Sequence, residues 1–101
     1  MNYKHLHYFW VVARAGGVTR ASEQLHTTPQ TLSGQIKLLE ERLGRKLLRK
    51  VGRRLELTDA GRTALHYADQ IFMLGGELES ALRARRDGGQ RVLEFRVGVA
   101  D

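Results

Sequence analysis

Three residues, His26-Thr27-Thr28, are all that separate two helical patterns between positions 18 and 43. In the first, over residues 19–25, Ala21 and Leu25 lie four apart on one face. In the second, Leu32, Ile36, Leu39 and Leu43 come at spacings of 4, 3 and 4, the stripe of a helix with one side buried. So short a break leaves room only for a tight turn. Thr28 is placed to cap the second helix, and Pro29 then falls at its first position, where a missing N–H costs nothing. A short helix, a tight turn and a longer helix predict a helix-turn-helix, whose second helix suits a DNA major groove.

The residues off that stripe fit the same use. Gln30, Thr31, Ser33, Gly34 and Lys37 are short or hydrogen-bonding, and none is acidic. Gln can bond adenine at two atoms, Ser and Thr can take either role, and a Thr methyl can meet the thymine methyl. Gly34 lets the helix approach closely, at a cost of about 1 kcal/mol in helix propensity. With Thr28 and Pro29 at the helix start, these residues form the candidate base-reading set. Taken alone, the same face would serve equally as an ordinary solvated surface. The charge of the next segment favours DNA.

The chain carries a net charge of +6 that is unevenly spread: +1 over residues 1–41, +6 over 42–62 and −1 over 63–101. Seven basic residues fall within 42–54 with no acid among them. Such a patch is the footprint of a polyanion partner. Gly44 closes the second helix. Leu47 and Leu48, then Leu55 and Leu57 alternating with Glu56, flank Gly52 and predict a short β-hairpin with its leucines on one side. A hairpin after a helix-turn-helix is a wing. Arg53 and Arg54 at its tip can enter a minor groove, where the negative potential attracts Arg. Arg45, Lys46, Arg49 and Lys50 can bind flanking phosphates, which sets affinity and salt dependence rather than sequence choice.

Before this unit, residues 3–15 predict a helix with Leu6, Phe9, Trp10 and Ala13 on one face. That aromatic stripe reads as core packed under the helix-turn-helix. Gly16-Gly17 ends it, and Thr19 falls near the next cap. After the wing, Thr58 starts a long helix with Asp59 at its positive end, running to about Arg86. Leu65, Ala68, Ile71 or Phe72, Gly75, Leu78 and Leu82 form a stripe along it. A helix of that length reaches about 43 Å, too far for so small a domain to cover. A second copy is the expected cover, so this is the expected homodimer seam. Gly75-Gly76 in its middle permits close helix approach or marks a bend. Residues 87–91 read as a hinge and 92–101 as one β-strand, the opening of a further domain. The expected fold is therefore mostly α: a winged helix-turn-helix over 1–58, a dimerisation helix over 59–86, and a hinge and strand over 87–101.

Little else carries chemistry. The chain has no Cys, hence no disulfide and no thiolate zinc site. His5 and His7 point to opposite helix faces, and His26 and His66 are isolated. Glu40 and Glu41 are adjacent and do not face each other, which suits solvated groups or a pair with Arg45 better than acid–base work. Ser22, Ser33 and Ser80 sit in no nucleophile motif. No enzyme, cofactor or metal site is expected. Without a signal pattern or an apolar run of about 18 residues, the chain reads as cytoplasmic with no membrane partner.

These residues together resemble the LysR-type transcriptional regulators. The resemblance is carried by Leu6-His7-Tyr8-Phe9, Thr19-Arg20-Ala21, Leu25-His26, Leu32-Ser33-Gly34-Gln35-Ile36, Leu39-Glu40 and Leu43-Gly44, then by Leu47-Leu48-Arg49 and Leu57-Thr58-Asp59-Ala60-Gly61. The chain departs from the usual pattern at Ser22, Thr27, Thr28-Pro29-Gln30 and Gly34. Tyr3, Phe9-Trp10, Thr28-Pro29-Gln30-Thr31, Tyr67-Ala68-Asp69 and Gly98-Val99-Ala100-Asp101 are similar to one branch, the sodium-responsive activators of a sodium/proton antiporter gene. The resemblance implies a dimer joined by the linker helix, with tetramers through effector domains. It implies double-stranded DNA as partner, at a pseudo-palindromic site with a T…A core. A small inducer would bind the effector domain beyond residue 101, altering DNA bending and RNA polymerase contact. The residues themselves leave one alternative, a winged-helix module that binds protein or RNA. A basic membrane-surface segment is disfavoured, because the charge sits in a wing rather than along one helix face.

Overall fold

The computed structural model describes residues 1–88, with side chains through Ala84. In order these form α1 (Tyr3–Ala15), α2 (Val18–Gln24), α3 (Pro29–Leu43), β1 (Leu48–Val51), β2 (Arg54–Leu57) and α4 (Asp59–Gly88). They fall into two compact units, Met1–Gln70 and a second that begins at Ile71. Of the expected hinge and strand over 87–101, Asp87 and Gly88 are the last residues of α4, and the remainder lies outside the described residues.

Each helix begins and ends for a local reason. Asn2 caps α1, its side-chain oxygen accepting from the amides of Lys4 at 2.8 Å and His5 at 3.3 Å. Gly17, not Thr19, stands at the cap of α2, and no side chain bonds there; Thr19 is already helical, and its carbonyl accepts from the Ser22 hydroxyl at 2.7 Å. The turn into α3 is a Schellman motif. His26 takes the left-handed conformation at φ 55°, while Thr27 N–H reaches the Ser22 carbonyl at 3.0 Å and His26 N–H the Glu23 carbonyl at 3.4 Å. Thr28 then caps α3 by accepting from Thr31 N–H at 3.1 Å, with Pro29 next.

The core of the first unit lies where α1 crosses α2 and α3. Leu6, Phe9 and Val12 of α1 meet Ala21 of α2 and Leu32, Ile36 and Leu39 of α3, all buried. Each large side chain so buried stabilises the fold by about 1.5–3 kcal/mol. The buried stripe of α1 runs through Val12 rather than through Trp10 and Ala13, which are half-buried. β1 and β2 pair antiparallel, Leu48 opposite Leu57 and Lys50 opposite Leu55, so the leucines share a face as their alternation predicts. Ala68 corrects the expected dimer stripe. It is 0% exposed within the single chain, so it belongs to the core and offers a partner nothing to cover.

Trp10 has a polar task at the edge of this core. Its indole N–H donates to Asp69 of α4 at 2.7 Å, and Arg14 Nε donates to the same carboxylate oxygen at 3.1 Å. Arg14 Nη2 pairs with the other oxygen. The indole hydrogen bond first, then those from Arg14, hold the Asp69 carboxyl below its ordinary value of 3.8, outweighing partial burial, with the charges of Arg14 and His66 adding to the effect. A carboxyl depressed in the folded state contributes stability that is complete above its unfolded value and fades as pH falls through the folded one. Asp69→Asn is therefore expected to flatten the loss of stability below about pH 4. Chemical denaturation across that range checks it; parallel curves for the two proteins would remove Asp69 from this role.

Candidate nucleic-acid interface

The reading face of α3 is open. Gln30, Thr31, Ser33, Gly34 and Lys37 are exposed, as is Thr28, while Pro29 is half-buried. A Cβ placed on Gly34 would meet nothing within 4 Å, so this helix turn presents bare backbone. The two threonines are not equivalent. The Thr28 hydroxyl accepts from Thr31 N–H and donates to Thr31 Oγ1 at 2.9 Å, so its proton is committed. Thr31 keeps its own proton to donate outward.

The wing turns on two residues, Gly52 and Arg53, between the paired Val51 and Arg54. Gly52 has φ 64°, and a positive φ at the first central position alone is the sign pattern of a type II′ hairpin, which matches the strand twist. Arg53 is thus at the tip, while Arg54 is the first residue of β2. Arg54 pairs with Glu56 on the same face of that strand at 3.5 Å. Arg49, opposite Glu56, is exposed.

An open groove joins these parts. Pro29 and Ser33 of α3 line it, with Lys50 and Arg53 of the wing and Thr19 and Arg20 of α2. Lys37, Arg45 and Lys46 lie elsewhere, in a separate recess at the C-terminal end of α3 that they share with Glu40, Glu41 and Gly44. Of the predicted contact residues, Pro29, Ser33, Lys50, Arg53 and Arg54 line the groove and Lys37, Arg45 and Lys46 the recess, while Thr28, Gln30, Thr31 and Gly34 stand exposed at the start and along the face of α3 and Arg49 stands exposed on β1. Sequence reasoning left out Thr19 and Arg20 as site residues. A signal for Arg20 was present: a cation in the first turn of a helix opposes the helix dipole, and a locally unfavourable choice points to use elsewhere. Glu40 also differs from expectation. It is neither solvated nor paired with Arg45, but accepts from the amides of Leu47 at 2.8 Å and Leu48 at 3.3 Å, with Lys46 3.8 Å away.

A short helix, a tight turn, an open-faced second helix and a basic hairpin on one groove define a winged helix-turn-helix protein. Residues 3–62 match the bacterial regulatory helix-turn-helix proteins of the lysR family, and the chain belongs to that family. It is 46% identical over all 101 residues to the transcriptional activator protein NhaR of Escherichia coli (strain K12), spanning 33% of that protein's length. It is 42% identical over 86 residues to the Hca operon transcriptional activator HcaR of the same organism, spanning 28% of that relative and 85% of this chain. Among solved structures, the BenM DNA-binding domain in complex with catB site 1 DNA is similar at a TM-score of 0.80 and 30% identity, over 88% of this chain and 99% of that one. The CbnR DNA-binding domain in complex with DNA gives 0.73 and 36%, over 85% and 99%. Among the described residues no helix is long and apolar enough to cross a membrane.

Proposed function

We propose that this chain is the DNA-binding and dimerising part of a transcriptional regulator that recognises a pseudo-palindromic promoter site in double-stranded DNA. The observation that carries this reading is the groove where the exposed, acid-free face of α3 meets the basic wing. Residues 1–58 are the winged helix-turn-helix, Asp59–Gly88 the linker helix, and the residues after it the start of an effector-binding domain. Gln30, Thr31, Ser33 and Gly34, with Thr28 and Pro29 at the helix start, read bases, and Lys37 reads farther along the DNA major groove. Arg45, Lys46, Arg49, Lys50, Arg53 and Arg54 hold the backbone and minor groove. The likeness to NhaR over the whole chain supports activation of sodium/proton antiporter genes, in the cytoplasm, by a protein that binds its small inducer and meets RNA polymerase through parts beyond this chain. Tetramers would form through those same parts.

The mass of the purified chain in solution, alone and with a palindromic T…A duplex or a scrambled one, tests this. A dimer that prefers the palindrome supports both the seam and the reading helix. Binding that ignores duplex sequence and tightens on RNA would instead favour a module for another polyanion. The two parts of the site are expected to respond differently to mutation. Arg53→Ala weakens binding to both duplexes and lowers the salt slope by about 0.9. Gln30→Ala mainly erodes discrimination, by about 1–3 kcal/mol per lost base contact. Equal losses on both duplexes for Gln30→Ala would remove it from the reading set.

A further inference from the structure

Glu40 accepts from four backbone amides along the link between α3 and the wing, whose carbonyls at Lys46 and Leu47 are taken by Thr58. The main-chain carbonyl of Glu40 accepts from Gly44 N–H at 2.8 Å and Arg45 N–H at 3.2 Å. One oxygen of its carboxylate accepts from Leu47 N–H at 2.8 Å and Leu48 N–H at 3.3 Å, and the other faces the Lys46 ammonium at 3.8 Å. The side chain is only 11% exposed. A buried carboxylate left without partners would be costly, so its two amide bonds are strongly favoured over any alternative path for this link. Leu48 is the first residue of β1. Its strand carries Lys50 and leads directly to Arg53, both of which line the groove beside Pro29 and Ser33.

From this geometry we infer that Glu40 is a positioning residue for DNA binding. It touches no DNA, and it fixes the wing's basic tip at a set distance from the reading face of α3, so that helix and wing grip the duplex as one body. The inference rests on the DNA-binding reading above.

A double-mutant cycle on the full chain tests it, with fluorescence anisotropy on a duplex carrying a palindromic T…A site. Arg53→Ala in the otherwise unchanged chain is expected to weaken binding about tenfold or more, the worth of one charged hydrogen bond. In a Glu40→Ala background the same change is expected to cost less than about threefold, because a wing no longer held makes little use of its tip. Glu40→Gln restores the full Arg53 effect, since one amide oxygen can accept from both Leu47 and Leu48. A mere loss of folded protein would lower binding without changing the Arg53 factor. Where Glu40→Ala does not fold by circular dichroism, Glu40→Asp takes its place in the cycle, keeping the charge on a stem too short to reach. An Arg53 factor that is the same in both backgrounds overturns the positioning role. An unchanged chain that fails to bind the duplex at all overturns the DNA reading beneath it.

Discussion

Gly61→Ala is expected to lower the melting temperature of the chain by about 10–20 °C, because among the described glycines it alone would bring an added methyl group against other atoms. Gly61 lies in the first turn of α4, where the helix crosses the link into the wing. A Cβ built there would sit 2.0 Å from the Leu47 carbonyl oxygen, 3.0 Å from its carbon and 3.2 Å from Leu57 Cδ2. The nearest atoms are backbone, and that backbone is tied on both sides. The Leu47 carbonyl accepts from Thr58 N–H at 3.0 Å, and the Leu47 amide donates to Glu40. Thr58 in turn donates from its hydroxyl to the Lys46 carbonyl at 2.5 Å and accepts from Gly61 N–H at 2.9 Å. Nothing in that ring yields without breaking another bond.

Overpacking of this kind costs about 1–3 kcal/mol and sometimes more. The better helix propensity of Ala returns about 1 kcal/mol, so a shift this large requires the clash to exceed the usual range. A backbone overlap of this depth does so. For a unit this small each kcal/mol moves the midpoint by about 4–8 °C. Gly76→Ala is the control. Its added Cβ meets nothing within 4 Å, so only the propensity gain remains and the midpoint should hold or rise. Thermal melts followed by circular dichroism compare the two. Equal midpoints would mean that α4 does not approach Leu47 this closely in solution.

The contrast between Gly61 and Gly52 shows what the chain made legible. Gly52 announced a turn because it stood between two alternating leucine runs, and local chemistry was enough to place it. Thr28-Pro29 and Gly44 marked the bounds of α3 in the same local way. Gly61 gave no such sign, because its reason is a carbonyl far back in the chain, that of Leu47. Glu40 failed for the same cause: its partners are the amides of Leu47 and Leu48, and a helical wheel shows only its neighbours on α3. His26 failed differently. Its left-handed φ is a conformation expected of Gly, imposed by the Schellman bonds around it. In α4 the difficulty was two apolar faces on one helix. Periodicity merged inward Ala68 with outward Leu78 and passed over Leu74, which is 66% exposed.

That outward face carries the second large effect. Ile71, Leu74, Leu78 and Leu82 lie at spacings of 3, 4 and 4, and Leu74, Leu78 and Leu82 are each more than half exposed. Large apolar side chains in so regular a row are costly to leave in water, and a second copy of the same row, the proposed partner, would cover them at knobs-into-holes spacing. Leu65 and Phe72, half-buried, are poorer candidates for that seam than sequence alone made them, while Gly75, with open space around it, fits beside Leu74 and Leu78. Leu78→Asp is accordingly expected to turn a dimer into a monomer in sedimentation. Two linked half-site contacts gain about 10²–10⁴ in affinity over one, so binding to a palindromic duplex should fall by about that factor. Binding to a single half-site should stay unchanged, because Leu78 lies outside the Met1–Gln70 unit that holds the groove. A variant that still sediments as a dimer would move the seam off this row. A variant that became monomeric yet kept full palindrome affinity would show that each winged helix binds its half-site without help from the other, and the linker helix would then serve assembly but not recognition.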